Sequence, residues 1–385
     1  MDNTIRLKDA CKILNGFAFK SSKYVDSGIR IIRIANVQKG YVEDEKPAFY
    51  PDSEEPLIRD YMLKENDLLL SLTGNVGRVA LLDKKWLPAA LNQRVACLRI
   101  KDDRIIKDYL YFALLSDKFE NDCIKSSKGI AQKNMSTEWL KDYEIPLPSE
   151  QRQREIVSSL KHLSAIIKNK TEQIRQLDNL VKARFVEMFD GDYEEVELSE
   201  LGKISTGSTP PMKNKDFYEN ADMPFYKPGD FIDGVSNIDC SESFVDARAE
   251  SVSRIMDPGT VAVTCIGIIG KIGIIKRRGI CNQQINFIAP NDNVNSIYLA
   301  YAIDTKKKFM QEKANAPVVP ILNKTNFSKV TIPFAPVELQ NQFAAFVAQV
   351  DKSKFALGDE LAMGNFYIRL IYDRIMHGRI DLRVA

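Results

Sequence analysis

Two short glycine-rich stretches carry the residue types that hold phosphate in many enzymes. Residues 72–82 read LTGNVGRVALL and residues 266–275 read IGIIGKIGII, so each has two glycines three positions apart with a base directly behind them. These residues are Gly74, Gly77 and Arg78 in the first stretch, and Gly267, Gly270 and Lys271 in the second. A nucleotide-binding loop would need G-x-x-x-x-G-K-S/T, or G-x-G-x-x-G opening a helix. Neither pattern is present, so the glycines predict hairpin turns, beside which the two bases either contact phosphate or are solvated.

An asparagine–glutamine pair follows each glycine-rich stretch, at the start of a strand-like run. The two segments are Asn92, Gln93 and Arg94 in the first copy, and Asn282, Gln283 and Gln284 in the second. Side-chain amides can form two hydrogen bonds with adenine in the major groove of DNA, and arginine can do so with guanine. Alternatively, the amides satisfy backbone groups at a strand end. Asn92 and Asn282 recur and are interpreted as structural, whereas Arg94 and Gln284 differ and are better candidates for sequence specificity.

Basic residues in loop-like stretches are the further candidates for contacts with phosphate. They are Arg30, Arg33, Lys39, Lys128 and Lys133 in the first half, and Lys213, Lys215, Lys227, Lys276, Arg277, Arg278 and Lys324 in the second. Phosphate contacts give affinity and salt dependence without carrying sequence information. The run KRRG at 276–279 is the densest cluster and the strongest single candidate, although it also fits a plain exposed turn.

The composition limits the class of protein. The chain has 385 residues, of which 44% are hydrophobic and 28% charged, as in ordinary globular proteins of two or three domains. The formal net charge is only +2, so DNA binding would depend on local basic patches. The six cysteines form no C-x-x-C pattern and there are two histidines, which argues against a metal site and for reduced thiols in the cytoplasm. No apolar run approaches the roughly 20 residues of a membrane span, and no signal peptide is recognised.

No convincing catalytic constellation is found in the sequence. A DNA amino-methyltransferase would carry Asn or Asp, two prolines, then Tyr or Phe, but the only Pro-Pro pair lies in TPPM at 209–212. The triplet DKK at 83–85 matches the Asp-x-Lys part of a nuclease site, a pattern that arises easily by chance. His162 and His377 both lie on helical patterns, where neither is placed to act as a general base. The sequence therefore contains no recognised catalytic site, and no cofactor is predicted.

The candidate sites recur because the chain contains an internal repeat of about 190 residues. In each copy a Tyr-rich apolar helix and an extended proline segment follow the Asn-Gln pair. A long helical pattern comes next, in which apolar residues alternate at spacings of three and four from Leu160 and again from Phe343. This alternation predicts two coiled-coil helices of about 40 residues, each roughly 60 Å long. Gly191 and Gly378 are predicted to cap their C-terminal ends.

The predicted fold class is α+β, with two repeated globular domains joined by an antiparallel pair of long coiled-coil-like helices. The predicted boundaries are 1–148 and 192–335 for the globular domains, and 149–191 and 336–385 for the helices. If the copies are equivalent, a pseudo-two-fold axis makes the helices antiparallel and places the domains at opposite ends of a rod. Dimeric DNA-binding proteins use the same symmetry to bind two half-sites. Near the end of the first helix, Phe185, Met188 and Phe189 are candidates for contact with a partner protein, although such residues are more simply coiled-coil core.

Several stretches, in the same order, resemble the specificity subunits of type I restriction-modification systems. GFAFKSSKYVDSGIRIIRIANVQKG (16–40) is similar to the opening of that family's target recognition domain, and KGIAQKNMSTEWLKDYEIPLP (128–148) to its closing segment. EIPLPSEQRQREIVSSL (144–160) and IPFAPVELQNQF (332–343) resemble the starts of the two spacer helices. LVKARFVEMFDGDYEEVELSELGKISTGSTP (180–210) resembles the junction between the first helix and the second recognition domain. The resemblance covers nearly the whole chain.

The resemblance implies a subunit without a catalytic site, in which each recognition domain binds one half of a split double-stranded DNA target and the helices set the gap. It also implies that two modification subunits dock on the helices and carry adenine methyltransferase chemistry with S-adenosylmethionine, and that restriction subunits join this core. GIAQKNM (129–135) contains the family's Gln132 and Asn134, which adds Gln132 to the candidate DNA contacts. APVVPILNK (316–324) has apolar residues instead, so the second domain is expected to contact DNA differently.

The predicted function is therefore DNA-sequence recognition by a non-catalytic, cytoplasmic subunit that does not enter a membrane. Two alternatives remain open. In one, the chain is a catalytic fragment, a methyltransferase or nuclease that these domains only target. In the other, it is a structural coiled-coil scaffold without a role in DNA binding.

Overall fold

The computed structural model describes residues 4–127, 134–314 and 319–378. The chain divides into two compact units, one formed by residues 1–171 with 359–385 and the other by residues 172–358. Each unit combines one globular domain with parts of both long helices. Among the helices formed by the described residues, none has the length and apolar character that a membrane crossing requires.

The globular domain of unit 1 contains short strands and helices that precede the first long helix. Its strands are β1 (Thr4–Arg6), β2 (Cys11–Asn15), β3 (Ile29–Ile32), β4 (Phe49–Tyr50), β5 (Leu68–Ser71), β6 (Val79–Leu81), β7 (Ala89–Leu91), β8 (Val95–Ile100) and β9 (Glu144–Pro146). Its helices are α1 (Leu7–Ala10), α2 (Glu55–Ile58), α3 (Lys107–Leu114), α4 (Asp117–Ser126) and α5 (Thr137–Asp142), and the long helix is α6 (Glu150–Phe189). The strands pair in the orders β2-β8-β5-β6, β4-β3-β7 and β1-β9.

The globular domain of unit 2 repeats this arrangement before the second long helix. Its strands are β10 (Glu195–Glu197), β11 (Gly202–Thr206), β12 (Met223–Tyr226), β13 (Val235–Ile238), β14 (Phe244–Val245), β15 (Ile255–Met256), β16 (Val261–Thr264), β17 (Ile272–Ile275), β18 (Gly279–Cys281), β19 (Ile285–Pro290) and β20 (Thr331–Pro333). Its helices are α7 (Leu198–Leu201), α8 (Ser296–Thr305), α9 (Lys307–Lys313) and α10 (Lys324–Ser328), and the long helix is α11 (Val337–Met376). The strand orders are β11-β19-β16-β17-β13, β14-β12-β18-β15 and β10-β20.

The two domains share one pairing scheme. β2-β8-β5-β6 corresponds to β11-β19-β16-β17, and β4-β3-β7 corresponds to β14-β12-β18, with β3 parallel to β7 and β12 parallel to β18. The central strands β5 and β16 are short apolar runs in which every side chain is buried. Such runs suit strands that are covered on both faces. The predicted repeat and the α+β fold class are confirmed.

Within each unit, the two long helices run antiparallel. The pairs that show this are Ile167 with Gly364 and Lys170 with Glu360 in unit 1, and Asp178 with Lys354 and Phe185 with Phe343 in unit 2. In both units the residue numbers rise along α6 while those of its neighbours fall along α11. The predicted antiparallel pairing is confirmed, and the helix faces that pack on the domain extend its apolar core.

The two predicted helix caps have different outcomes. Gly378 lies in the left-handed region with φ +66° and donates its N–H to Ile375 O at 3.2 Å, as a C-terminal cap does. The cap predicted at Gly191 is wrong, because that residue is not left-handed and α6 already ends at Phe189. Phe189 is 6% exposed, so the helix ends where this ring enters the core of unit 2.

A buried glutamine near the start of each long helix fixes the helix to its domain. Gln153 is fully buried, and its Oε1 accepts from Ile106 N at 2.8 Å while its Nε2 donates to the carbonyls of Arg104 (2.8 Å) and Pro148 (3.0 Å). The corresponding bonds of Gln340, also fully buried, are to Asn295 N (2.8 Å) and Ala335 O (2.8 Å). Each amide thus joins two segments of its unit. One is the loop before α3 in the first unit or before α8 in the second, and the other is the segment that leads into the long helix.

We expect Gln153→Leu to lower the free energy of unfolding by about 2–4 kcal/mol, because the buried N–H of Ile106 and two carbonyls lose their partner. Leucine is similar in size, so a cavity is not the cause. Gln151→Leu, at an exposed position of the same helical turn, should change stability by less than about 0.5 kcal/mol. Urea denaturation followed by circular dichroism compares the two variants, and equal stabilities would contradict the anchoring role.

Candidate nucleic-acid interface

The two glycine-rich stretches form matching hairpin loops. The first joins β5 to β6 and the second joins β16 to β17, in both cases between antiparallel strands. In the first loop, Gly77 N donates to Ser71 O at 3.0 Å, and Ser71 Oγ accepts from Arg78 N at 3.0 Å. The corresponding residues of the second loop are Gly270, Thr264 and Lys271, with distances of 3.0 and 3.1 Å. The hairpin prediction is confirmed, and these N–H groups are used inside the turn and not to hold phosphate.

Each hairpin loop is tied to two other segments of its domain. Leu72 N donates to Arg94 O at 2.9 Å, and Leu72 O accepts from Met135 N at 2.9 Å. The corresponding residues of the second domain are Cys265, Gln284 and Leu322, with distances of 2.8 and 2.9 Å. The loop, the Asn-Gln segment and the segment that closes the domain therefore form one surface in each domain. Three predicted DNA contacts of the first closing segment lie outside the described residues: Lys128, Gln132 and Lys133.

The Asn-Gln segments use their asparagines to close a turn. Asn92 is buried, and its Oδ1 accepts from Arg94 N at 3.2 Å. Asn282 Oδ1 accepts from Gln284 N at 3.0 Å, and Asn282 Nδ2 donates to Gln284 Oε1 at 2.9 Å. This geometry supports the structural interpretation of both asparagines. Arg94 is exposed without a side-chain partner among the described residues, so the first domain presents a guanidinium where the second holds an amide within the chain.

Arg94 borders a cleft of about 430 Å³ in the first domain. Its walls are Phe19, Tyr24, Arg33, Ile34, Ala35, Lys46, Asn92, Gln93 and Arg94. Three of these described wall residues are cations and none is an acid, and two are aromatic. Arg33 Nε is buried there without a hydrogen-bond partner in the part of the chain that the structure describes. Cations that attract phosphate and the half-buried ring of Tyr24 suit a nucleic-acid strand, whereas Phe19 is only 9% exposed and packs in the domain core.

Sequence reasoning missed Phe19, Tyr24 and Lys46 as members of this cleft. They are far from Arg94 in the chain, and the parallel pairing of β3 with β7 is what brings their segments together. For Phe19 and Tyr24 the available signal was the basic and aromatic stretch at 16–40, which the family resemblance identified as a whole, and Lys46 lies outside it.

Two predicted phosphate contacts are neutralised inside the first domain. Arg30 forms an ion pair with Asp44, and its guanidinium lies over two aromatic rings at 4.8 and 5.2 Å from their centroids. Lys39 Nζ lies 2.6 Å from Asp117 and 2.7 Å from Glu120. Both cations already balance the domain's own carboxylates, and their role as phosphate contacts stays a prediction.

Other predicted cations bond to neutral groups and so keep their charge for a ligand. Arg78 donates to Gln38 Oε1, Lys227 to Ser243 Oγ (2.8 Å), Lys271 to Phe231 O (2.7 Å) and Arg277 to Asp222 O (2.8 Å). Arg78 and Lys271 are half-buried, whereas Lys227 and Arg277 are exposed. The exposed pair is the better placed to meet a polyanion.

The cluster KRRG forms an exposed turn between β17 and β18. Arg278 lies 3.0 Å from Glu250 and also pairs with Asp257, and these carboxylates raise the pKa of the guanidinium. Lys276 and Lys324 are exposed and form no ion pair with any described residue. Among these cations, the charge that no described carboxylate neutralises therefore lies on Lys276, Lys324 and Arg277, the last of which bonds to a neutral carbonyl.

We expect Lys276→Ala to weaken DNA binding and to reduce the slope of log affinity against log salt by about 0.9, the contribution of one phosphate contact in duplex DNA. Lys352→Ala, an exposed lysine on α11, serves as the matched control and should leave the slope unchanged. Fluorescence anisotropy at about 50–200 mM salt measures both slopes. Equal slopes for Lys276→Ala and the unaltered protein would remove Lys276 from the interface.

The rings predicted to meet a partner protein are mostly buried within unit 2. Phe185 and Phe189 are 4% and 6% exposed. The ring centroids of Phe189 and Tyr298 are 4.7 Å apart, and those of Phe185 and Phe343 are 5.2 Å apart. Met188 is half-buried against the same core. The assignment of the two phenylalanines to a partner is corrected, because the domain and α11 already cover them.

Other apolar side chains of the second long helix are exposed. Phe355, Met363 and Phe366 of α11 are 73%, 59% and 62% exposed. Sequence reasoning passed over them because it followed the stripe that packs against the domain. The sequence did indicate them, because they are large apolar residues at helical positions outside that stripe.

The cysteine thiols are not activated as nucleophiles. Cys240 is exposed and the other cysteines are buried. Burial raises the pKa of Cys11 to about 12 and that of Cys265 to about 12. A hydrogen bond with Asp239 raises the pKa of Cys240. All these thiols are therefore protonated at neutral pH, whereas the thiolate is the reactive form.

Comparison with known proteins finds the same duplication. A family model described as the type I restriction modification DNA specificity domain matches residues 3–178 and again residues 190–361. The type I restriction enzyme MjaVIII specificity subunit of Methanocaldococcus jannaschii is 28% identical over 182 residues, which cover 46% of this chain and 43% of that protein. The aligned region thus spans less than half of that relative's length.

Two further relatives align over most of the chain. The type I restriction enzyme EcoBI specificity subunit of Escherichia coli is 23% identical over 395 residues, which cover 93% of this chain and 80% of that protein. The crystal structure of a type I restriction-modification S subunit from M. genitalium has a TM-score of 0.54 at 15% identity, covering 97% of this chain and 96% of that one. The structural likeness shows a shared fold. Because the family model matches both copies and together these matches span most of the sequence, the chain belongs to the type I restriction-modification DNA specificity family.

Proposed function

We propose that this chain is the DNA-sequence-recognition subunit of a type I restriction-modification complex. The observation that carries this proposal is the duplication of one DNA specificity domain, in which the same hairpin surface presents different side chains in the two copies. A protein that binds two identical DNA half-sites would need the same side chains in both domains. Two different surfaces on one scaffold are suited to the two unlike halves of a split DNA target.

Contacts with phosphate and with bases are divided between different residues in this proposal. Cations supply affinity and salt dependence, and we assign this role to the exposed Lys227, Lys276, Arg277 and Lys324 in the second domain and to the cleft cations Arg33 and Arg94 in the first. Side chains on the hairpin surface would read the base edges. The two antiparallel helices would set the number of base pairs between the half-sites.

Catalysis belongs to other subunits in this proposal. Two DNA adenine methyltransferase subunits, which hold S-adenosylmethionine, would dock on the long helices, and restriction subunits would join the complex in the cytoplasm. The exposed Phe355, Met363 and Phe366 support a docking role for α11, because large apolar side chains on a helix surface often mark an interface.

We expect Phe366→Ser to weaken capture of the methyltransferase subunit by at least about tenfold, because an exposed aromatic residue at an interface centre commonly contributes 2 kcal/mol or more. Asn365→Ser, at the adjacent exposed position, is the matched control and should bind like the unaltered chain. Titration of the purified subunits by isothermal calorimetry gives both affinities. Unchanged affinity for Phe366→Ser would exclude this face of α11 from docking.

Methylome sequencing tests the proposed function directly. A host without DNA methylation expresses the cognate methyltransferase subunit with and without this chain. A split adenine-methylated sequence that appears only with the chain supports the proposal and gives both half-sites. No methylated sequence from a demonstrably formed complex would favour the scaffold alternative, and methylation by this chain alone would reveal a missed active site.

A further inference from the structure

Each hairpin loop presents one side chain at its tip, and the two tips differ in chemistry. Asn75 follows Gly74 in the first loop, and Ile268 follows Gly267 in the second. The glycine φ angles are +71° and +77°, so the backbone before the tip is the same. Both tip side chains are exposed, and Ile268 is 62% exposed. The fold therefore fixes the position of the tip but not the type of side chain that stands there.

The residue bridged to each loop differs in the same way. The first loop is bridged to Asn134, which is exposed, and the second to Ile321, which is 41% exposed. Packing of the core does not determine the side chain at Asn134 or Ile321. The space beneath the two loops is filled instead by Val76 and Ile269, which are 1% and 3% exposed. The first domain thus presents two amides at positions where the second presents two branched aliphatic side chains.

We propose that these four residues contact base edges, by hydrogen bonds from Asn75 and Asn134 in the first half-site and by apolar contact of Ile268 and Ile321 with a thymine methyl in the second. This inference rests on the proposed function and names the specificity-determining residues of the same surface. The C5-methyl of thymine is the apolar group that bases present in the major groove. Amide side chains form paired hydrogen bonds with adenine there.

The surroundings of the aliphatic pair favour DNA over a protein as its ligand. Lys324 follows Ile321 closely in the chain and is exposed without an ion pair among the described residues. The backbone N–H of Cys265, next to the second loop, donates to the carbonyl of Gln284. In the first domain, the residue that corresponds to Gln284 is the exposed Arg94. An apolar contact beside uncompensated positive charge, on the surface that carries a guanidinium in the sister domain, matches a base edge flanked by phosphates.

The test uses the full chain in complex with its methyltransferase subunit, on the split target that methylome sequencing defines. Each thymine of the second half-site is replaced in turn by deoxyuridine, which removes only the methyl group. We expect one of these replacements to weaken binding roughly three- to tenfold, as the loss of about one buried methyl contact does. Ile268→Asn should lose most of the difference in affinity between the thymine and deoxyuridine targets, because only Ile321 remains to contact the methyl group, and Ile268→Val should keep most of that difference.

Two control variants keep the inference falsifiable. Ile232→Asn changes an isoleucine of the same unit with 64% exposure and should retain the full sensitivity to deoxyuridine. Asn75→Ala should also retain it, while losing discrimination at an adenine of the first half-site. A second half-site without a sensitive thymine, or Ile268→Asn as sensitive as the unaltered complex, would overturn the inference. Loss of subunit binding in Ile268→Asn, with base preference intact, would assign the surface to a protein. If the unaltered complex methylates no split sequence, the proposed function itself fails, so the two failures are distinguishable.

Discussion

Adding one heptad to both long helices is expected to move the two half-sites about three base pairs further apart, without changing the half-sites themselves. Seven residues extend a helix by about 10.5 Å, and one base pair of duplex DNA rises about 3.4 Å. The insertions belong after Thr171 in α6 and after Gly358 in α11. Thr171 directly follows Lys170 and Gly358 precedes Glu360 by two residues, so both insertions fall next to the Lys170–Glu360 ion pair that joins the two antiparallel helices. Methylation at the original spacing should be lost entirely, which makes this the largest effect that we expect.

Methylome sequencing of the altered complex reads the new spacing. A chain with the same seven residues inserted in α6 alone is the control, because it puts the helix register out of step and should methylate neither spacing well. A doubly lengthened chain that still methylates the original target would mean that the helices do not set the gap.

Gly77→Val is expected to lower the free energy of unfolding by about 2–5 kcal/mol and to remove the first hairpin loop from its position. Gly77 has φ +83°, and a Cβ there would lie 2.9 Å from the Cβ of Cys123 and 3.3 Å from the Cα of Glu120. The left-handed conformation costs a residue with a Cβ about 1–2 kcal/mol, and overpacking a core adds about 1–3 kcal/mol. For a unit of this size the melting temperature should fall by about 10 °C.

Gly74→Asn in the same loop is the matched control for Gly77→Val. Its φ is +71°, asparagine tolerates that conformation, and the nearest atom to an added Cβ is Ile34 Cδ1 at 3.7 Å. We expect it to melt within a few degrees of the unaltered protein. Differential scanning calorimetry compares the variants, and target methylation reports the position of the loop. If Gly77→Val melts like the control, the loop is not held against α4 as the structure indicates.

The repeat, the hairpins and the long helices could be predicted because each leaves a local pattern in the sequence. Paired glycines between apolar runs indicate a turn wherever they stand, and a spacing of three and four indicates a packed helix. The predicted roles of Asn92 and Asn282 followed from their recurrence in both copies. The turns and helices needed only neighbouring residues, and the two asparagines needed only a comparison of the two copies, so none of these inferences depended on the tertiary structure.

The functional surface was harder to predict because the exposure and the ion pairing of its side chains depend on residues that are distant in the chain. Arg30 and Lys39 are basic residues in loop-like stretches, as phosphate contacts are. Lys39, however, pairs with carboxylates of α4, and the sequence alone does not place these beside it. Phe185 and Phe189 were candidates for contact with a partner, but the helix face that they occupy packs on their own domain. Exposure at the tip of a loop, as at Ile268, likewise depends on what the rest of the domain leaves uncovered.

The strand pairs β1-β9 and β10-β20 have a consequence for how such proteins can diversify. Thr4 pairs with Pro146 and Glu195 with Pro333, so the chain enters and leaves each globular domain at adjacent points. A domain whose first and last strands pair with each other is an exchangeable unit, since a different domain can be joined at the same two points without altering the helix that follows. Under the proposed function, recombination at the two ends of one domain exchanges one half of the recognised sequence, while the other half and the assembly of the complex are inherited unchanged.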